Sequence, residues 1–150
     1  MNSIQYRIAQ LEDKESIFQF EIKRRFGDKS DDIENQMLVW SSAYRLEALE
    51  HYLKLGWSFL ALNSKNEIQG FFLGQPLLFF DQQTQTLWLE YLSAVDSNIQ
   101  ADLLQIAYKL SREKHFQRVL FGPEVESIAR EQGLPVQQWS RQNFLLKTTK

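Results

Sequence analysis

One carboxylate is the strongest candidate among the residues that could do chemistry. Glu90 lies within residues 86–95, whose alternating pattern predicts a long β-strand. Alternation places Glu90 on the same strand face as Trp88 and Leu92. A carboxylate that is buried among apolar side chains holds a proton more tightly and can serve as a general base. The structural alternative is that Glu90 pairs with a neighbouring lysine or arginine.

Other reactive side chains do not form a catalytic set in the sequence. The two histidines, His51 and His115, lie in separate predicted helices without the spacing of a metal pair, so we expect no metal site. Ser93 has no histidine in a nucleophile–base pattern. Tyr91 and Tyr108 could donate a proton, although tyrosines at such spacings more often pack in a core.

The composition predicts one folded domain over residues 1–150. The chain is 43% hydrophobic and 13% aromatic, which is enough apolar surface for one core. A net charge of −2 without basic runs argues against nucleic-acid binding. The absence of cysteine excludes disulfides, and no stretch has the roughly 20 apolar residues of a membrane span. We therefore expect a soluble, cytoplasmic protein, and the aromatic excess is compatible with a homodimer.

The first half of the chain predicts a strand, helices and a β-hairpin. Alternation predicts a strand over residues 5–11, and apolar residues at helical spacing predict two or three helices between residues 13 and 56. Compact apolar runs at residues 57–62 and 68–73 flank a polar turn, which is typical of a hairpin.

Irregular positions follow before the long strand that carries Glu90. Gly70 and Gly74 indicate bends or bulges. Pro76 indicates an edge or an irregularity rather than a continuous central strand. The long strand then places on its second face the side chains of Leu87, Leu89, Tyr91 and Ser93.

The second half predicts a crossover helix and a closing set of elements. Ser97 and Gln100 have capping-box spacing and predict a helix start. Residues 118–121 predict a short buried strand, and residues 124–132 predict a helix. Residues 136–147 predict a final strand or hairpin. The resulting order, β-α-α-β-β-β-α-β-α-β, is that of a mixed α/β (α+β) fold.

This order resembles that of the GNAT (GCN5-related) N-acyltransferases over nearly the whole chain. Residues 67–71 are similar to the family's hairpin strand, residues 89–95 to its fourth strand, and residues 129–134 to the helix end before its last strands. The resemblance implies a mixed central sheet and transfer of an acetyl or other acyl group from acyl-CoA to an amine of a small molecule or peptide. Glu90 would then be the base that takes the proton of the amine.

The resemblance also implies where acetyl-CoA would bind. In the family, the pantetheine arm lies between the splayed fourth and fifth strands. The corresponding backbone in this chain belongs to Leu92, Ser93, Ala94 and Val95. The pyrophosphate rests on amides at the start of the following helix, where unpaired N–H groups and the dipole favour an anion. That helix start here consists of Ser97, Asn98, Ile99 and Gln100.

The chain departs from the family pattern in two places. The family's pyrophosphate loop contains glycines, whereas residues 96–102 have neither Gly nor Arg and include Asp96 and Asp102. The family's usual acid, a tyrosine on the helix after the fifth strand, corresponds to Ala129, and an asparagine at the start of that helix corresponds to Gly122. An alternative prediction is therefore a degenerate member that does not use acetyl-CoA and acts as a ligand-binding or protein-interaction module.

Overall fold

The computed structural model describes residues 3–29, 31–139 and 144–148. The strands are Gln5–Ile8 (β1), Phe59–Leu62 (β2), Ile68–Phe80 (β3), Gln83–Ala94 (β4) and Arg118–Leu120 (β5). The α-helices are Lys14–Phe26 (α1), Ile33–Trp40 (α2), Leu46–Leu55 (α3), Ser97–Glu113 (α4) and Glu126–Glu131 (α5). Among these described residues, no helix is both long and apolar enough to cross a membrane.

All of these strands form one sheet in the order β1-β2-β3-β4-β5. Neighbouring strands are antiparallel except β4 and β5, which run parallel and are connected through α4. A parallel pair needs such a crossover because both of its strands start at the same end of the sheet. The predicted mixed α/β fold, with its element order up to α5, is therefore confirmed.

Helices cover both faces of the sheet and divide the core into two clusters, which are named the α1 cluster and the α4 cluster after a helix on each face. On one face, Ile17 of α1 and Leu49 of α3 pack with Phe71 of β3. On the other face, Leu103 of α4 packs with Phe72 of β3. Phe71 and Phe72 are both fully buried because successive strand residues project to opposite faces. Burying each of these large side chains contributes about 1.5–3 kcal/mol, so both layers of helices are held firmly to the sheet.

A β-bulge at Glu90 interrupts the pairing of β3 with β4. Leu73 pairs with Tyr91 and Gly74 pairs with Leu89, so the ladder passes over Glu90. The extra residue changes the face to which the strand projects. Leu89 therefore packs in the α4 cluster, whereas Tyr91 packs on the α1 cluster. The predicted alternation, which put Leu89 and Tyr91 on one face, is wrong across the bulge.

Strand β3 is longer than the sequence predicted. It continues through Pro76 to Phe80 instead of ending near residue 73. β2 pairs only with its first part, from Ile68 to Phe72, and the rest of β3 pairs with β4 alone among the described strands. Proline is tolerated there because a strand with one neighbour needs only alternate N–H groups for its ladder. Pro76 therefore lies on an edge segment of β3, which is one of the two predicted alternatives.

Two residues separate β4 from helix α4, and the cap of this helix differs from the prediction. Asp96 is the N-cap residue, and its carboxylate accepts the N–H of Ile99 at 2.9 Å. This interaction satisfies one of the first helical N–H groups, which have no acceptor within the helix. The prediction that Ser97 caps the helix is wrong because Ser97 is already the first helical residue.

The predicted final strand over residues 136–147 is not formed in the part of it that the structure describes. Residues 136–139 and 144–147 are irregular, and residues 140–143 lie outside the described residues. Val136 nevertheless packs against the α4 cluster. The Trp139 indole N–H donates to the Asp81 carboxylate at 2.8 Å. Side-chain contacts, rather than a β-ladder, therefore attach residues 136–139 to the domain.

A close backbone contact beside the bulge depends on Gly74. A Cβ at this position would lie 2.3 Å from the Trp57 carbonyl oxygen, so any other residue would force the backbone to move. The Gly74 N–H donates to the hydroxyl of Ser58, which is fully buried, at 3.1 Å. This hydrogen bond joins β3 to the residue that precedes β2.

We expect Ser58→Ala to lower the free energy of unfolding by about 1–3 kcal/mol, because the substitution leaves the buried Gly74 N–H without its acceptor. Urea denaturation measures the change. Ser41→Ala is the matched control, since the Ser41 hydroxyl donates to the Leu38 carbonyl at an exposed position where water can replace it. We expect the control to change stability by less than about 0.5 kcal/mol. Equal effects of the two substitutions would contradict the role of Ser58.

Candidate active site

Strands β4 and β5 are hydrogen-bonded over only three residue pairs. Thr86, Leu87 and Trp88 pair with β5, which ends at Leu120, whereas β4 continues to Ala94. The edge of β4 beyond Trp88 therefore faces a cavity of about 470 Å³. The cavity is lined from the sheet and the loop after β5 by Trp88, Leu89, Glu90, Tyr91, Leu92, Phe121, Gly122, Glu124 and Val125. The helices contribute Arg24, Arg25 and Gln100.

Glu90 lines this cleft from the bulge in β4. Its side chain is exposed, so the predicted burial among apolar neighbours is wrong. The Trp88 indole N–H donates to the Glu90 carboxylate, which shows that the two residues share one side of the strand. Glu90 takes part in none of the ion pairs of the described residues, so the alternative of a structural salt bridge is not found there. The cleft thus contains a carboxylate that is positioned by a neutral donor.

The buried carboxylate of this region is Glu21 on α1, which the sequence analysis missed. Glu21 is fully buried, and Arg24 donates to it from Nε and Nη2 at 2.8 and 3.0 Å. The Ser93 hydroxyl donates to it at 2.7 Å, and the Tyr91 hydroxyl donates to it as well. Arg25 Nε donates to the Tyr91 oxygen at 2.8 Å and to Glu21 at 3.3 Å. Since both arginines and Tyr91 line the cavity, this network forms its α1 wall.

The two ionisable groups at the centre of this network have pKa values shifted in opposite directions. Burial raises the pKa of Glu21, but hydrogen bonds from Arg24, Tyr91 and Ser93 outweigh burial, so the pKa lies below its usual value. Burial, followed by the hydrogen bond to the Glu21 carboxylate, raises the pKa of Tyr91. Glu21 is therefore charged and Tyr91 neutral at neutral pH. Because Tyr91 donates its proton to Glu21, it is not an available general acid.

Tyr108, the other predicted proton donor, lies outside the cleft. The Arg112 guanidinium stands 5.7 Å from the centre of its ring on α4. Tyr108 lines a separate cavity together with Leu104 and Val136. The described residues also contain no group of three or more histidine or acidic side chains that could hold a metal ion.

The residues predicted to contact the pantetheine arm lie in several environments. Leu92 lines the cleft. Ser93 directs its hydroxyl into the buried network around Glu21, and Ala94 packs in the α4 cluster. The Val95 N–H donates to a carbonyl of β3 at 2.9 Å. The structure therefore places Leu92 and Glu90 together in the cleft, and the donor-binding roles of all four residues stay predictions.

Two backbone amides at the predicted pyrophosphate site already have acceptors. The N–H of Ile99 donates to the Asp96 carboxylate at 2.9 Å, and the N–H of Gln100 donates to the Asp96 carbonyl at 3.2 Å. The Ile99 side chain is buried in the core, whereas Ser97 and Asn98 are exposed. An anion at this helix start would therefore meet the amides of Ser97 and Asn98 beside the negative charge of Asp96.

A spacing signal in the sequence could have identified Glu21. The buried residues of α1 are Ile17 and Glu21, which lie four residues apart on one face of the helix. A carboxylate on a buried face requires hydrogen-bonding partners. Arg24 and Arg25 follow at the spacings that reach it, so half of the network is visible in the sequence.

Comparisons with known proteins agree with this architecture at the level of fold. The aminoglycoside N-acetyltransferase AAC(6')-Iy, solved in complex with CoA, has a TM-score of 0.67 at 14% identity over 99% of this chain and 97% of that chain. The ribosomal-protein-alanine N-acetyltransferase from Brucella melitensis biovar Abortus 2308 has a TM-score of 0.61 at 12% identity over 97% and 99%. TTHA1254 from Thermus thermophilus has a TM-score of 0.63 at 19% identity over 97% and 99%.

These likenesses lie in structure rather than in sequence. No protein-family model and no curated protein sequence matches the chain. The solved structures nevertheless cover nearly its entire length, so they support the same overall arrangement of helices and strands. The chain has the fold of the GNAT acetyltransferases.

We expect Glu21→Gln to lower the free energy of unfolding at neutral pH by about 2–3 kcal/mol, because it leaves two arginines without their acidic partner. This loss of stability is smaller than for a fully buried ion pair, since the Arg24 and Arg25 side chains are 36% and 44% exposed. Folding lowers the pKa of Glu21. Its stabilisation is therefore present above the unfolded carboxyl pKa of about 4.3 and is lost as the pH falls through the lower folded value.

The measurement is urea denaturation between pH 2 and pH 7. The difference in the free energy of unfolding between the wild type and Glu21→Gln should become smaller as the pH falls through the folded pKa of Glu21. Glu126→Gln is the matched control, because Glu126 forms an exposed pair with Arg130 at 4.0 Å that contributes little. A Glu21→Gln variant as stable as this control at neutral pH would contradict the assigned network.

Proposed function

We propose that this chain transfers an acetyl or other acyl group from acyl-CoA to an amine of a small molecule or peptide. The cleft that opens where β4 and β5 separate carries the proposal. Residues 89–92 of β4 have β3 on one side and the cavity on the other. Backbone N–H and C=O groups on such an edge need partners. An extended ligand with amide groups, such as the pantetheine arm of CoA, can pair with them as an added strand does.

Two further observations support a CoA thioester as the donor. AAC(6')-Iy, which has a similar fold, was solved in complex with CoA. The cavity, at about 470 Å³, is in the range of small-molecule sites and suits the reacting end of the donor together with a small acceptor. Gln100, predicted to lie near the donor, lines this cavity.

Glu90 is the residue that we assign as the general base. In the reaction, the amine nitrogen bonds to the thioester carbonyl carbon, the C–S bond breaks, and CoA leaves with its sulfur. The nitrogen must lose a proton on the way, and a positioned carboxylate can accept it directly or through one water. Glu90 lines the cleft, and the Trp88 indole N–H holds its carboxylate in place.

Tyr91 and Glu21 have a positioning role in this proposal. Tyr91 follows Glu90 in β4, and its hydroxyl donates to the buried Glu21 carboxylate of α1. The neutral phenol and the charged carboxylate thus bind β4 to α1 immediately beside the bulge. This attachment limits the movement of Glu90 relative to the α1 wall of the cleft.

The second candidate function is a ligand-binding or protein-interaction module that does not use acetyl-CoA. The start of α4 favours it, because Asp96 occupies the Ile99 amide and adds negative charge where the pyrophosphate would lie. Asp102 lies in the next turn, where its carboxylate accepts from the Tyr6 hydroxyl at 2.6 Å. Like charges raise the free energy of bound phosphates. The two candidates therefore differ first in whether acetyl-CoA binds.

Calorimetric titration with acetyl-CoA tests this difference. We expect a dissociation constant in the micromolar range, about −8 kcal/mol. S-acetyl-pantetheine, which lacks the pyrophosphate, should retain most of that binding free energy if the β4 edge supplies it. Desulfo-CoA serves as a comparison for the thioester. The absence of heat at millimolar acetyl-CoA would reject the acyltransferase and favour the binding module.

Glu90→Gln should lower kcat by about 10²–10³-fold, because glutamine cannot accept the amine proton. The chain contains no cysteine, so a thiol reagent in the assay reports released CoA alone. The decrease in kcat should become smaller as the pH rises past the pKa of the free amine, since the amine is then already deprotonated in solution. Glu131→Gln on α5, which lies outside the lining of the cleft, is the matched control. Unchanged turnover in Glu90→Gln would reject Glu90 as the base.

A further inference from the structure

The α1 wall of the cleft carries more positive than negative charge. Arg24 and Arg25 have Glu21 as their shared acidic partner among the described residues. Tyr91 also lines the cleft, and its hydroxyl donates to Glu21. Because Tyr91 is neutral, the network has two guanidinium charges and one carboxylate charge. Arg25 uses only its Nε in this network, and its Nη1 and Nη2 groups have no hydrogen-bond acceptor in the described structure.

The Arg25 guanidinium is also held in one orientation. It lies 5.5 Å from the centre of the Tyr44 ring and 5.7 Å from that of the Tyr91 ring. The Arg25 side chain is 44% exposed, so its terminal N–H groups can reach a ligand. A fixed guanidinium with a free fork of N–H groups binds a carboxylate in two-point fashion.

Negatively charged side chains line the same cavity. Glu90 and Glu124 both line it, and neither forms an ion pair within the described residues. The Glu124 carboxylate folds over Gly122, where an added Cβ would lie 2.2 Å from its Oε2. The cavity therefore has a cationic wall on α1 and anionic groups on β4 and on the loop after β5.

We propose that the acceptor is an amine that also carries a carboxylate, of the amino-acid class, with its carboxylate on Arg25 and its ammonium beside Glu90. This inference rests on the proposed acyl transfer, because it names the acceptor of that reaction. The acceptor's carboxylate would meet Arg25, which shares a single carboxylate with Arg24, and its ammonium would meet Glu90, which forms no ion pair within the described residues. They also hold the nitrogen beside the group that takes its proton.

The test compares two probe pools by saturation-transfer NMR without any acyl donor. One pool contains the common L-α-amino acids, and the other contains their α-carboxamides, which keep the amine and lose the carboxylate. We expect transfer to members of the acid pool and at least about tenfold weaker binding of the corresponding amides. Equal binding of acids and amides, or no binding of either pool, overturns the proposal without any need for a variant.

Variants then locate the carboxylate contact. Arg25→Gln should weaken binding of the acid pool about tenfold or more, and Arg25→Lys, which keeps the charge, should restore part of it. Arg112→Gln is the matched control, because Arg112 also lies over a tyrosine ring but on the exposed surface of α4. An Arg25→Gln variant that keeps its fold and binds the acid pool as the wild type does would overturn the assignment.

The acceptor proposal and the acyltransferase proposal can fail independently of each other. If acids bind but acetyl-CoA neither binds nor turns over, the acyltransferase proposal fails and the carboxylate site stands. If acetyl-CoA is turned over equally well with acids and amides, the acyltransferase proposal stands and the acceptor class is wrong. A KM increase without a matching kcat loss in Arg25→Gln would agree with a binding role for this residue.

Discussion

The cleft of this protein depends on one buried carboxylate. Glu21 lies inside the protein between α1 and the sheet, and an unpaired charge there would cost several kcal/mol. Four side chains satisfy it, two from its own helix and two from β4. Because Tyr91 and Ser93 reach it only in one register of β4, the network selects that register as well as the position of α1. The same contacts leave Arg24 and Arg25 facing the cavity, so the charge of the cleft follows from the satisfaction of Glu21.

The second constraint is the bulge at Glu90, which acts together with the early end of β5. A bulge rotates the strand, and here it lets Leu89 pack on α4 while Tyr91 points to Glu21 on the other face. Without the extra residue, one of these two side chains would be on the wrong side of the sheet. Glu90 is the residue released from the ladder. Unlike its neighbours Leu89 and Tyr91, it projects neither into the α4 cluster nor into the Glu21 network. A catalytic side chain on such a residue can therefore be placed without loss of core packing.

The sequence predicts the order of elements up to α5 because that order depends on local features, namely changes of period, polar turns and glycines. It does not predict the bulge, since the alternation of residues 86–95 is uninterrupted and only pairing with β3 shows that Glu90 is extra. It predicts the wrong cap for α4 because Asp96 and Ser97 are adjacent and both suit the position. For the site, the pattern identifies Glu90 and the neighbourhood of Gln100, both of which line the cleft. It misses Glu21, whose partners on β4 are about 70 residues away in the chain.

In the proposed acyl transfer, the start of α4 limits how a donor could be bound. In an anion site of this type, free amides and the helix dipole provide the attraction for phosphate. Here the Asp96 carboxylate already accepts one of these amides and brings a full negative charge to the same place. The attraction between this helix start and a pyrophosphate is therefore weakened, and any affinity for a CoA thioester must come mainly from the edge of β4 and the apolar lining of the cleft. A donor held through its pantetheine arm would be fixed close to the thioester, next to Glu90, so its binding free energy would act where the proposed reaction occurs.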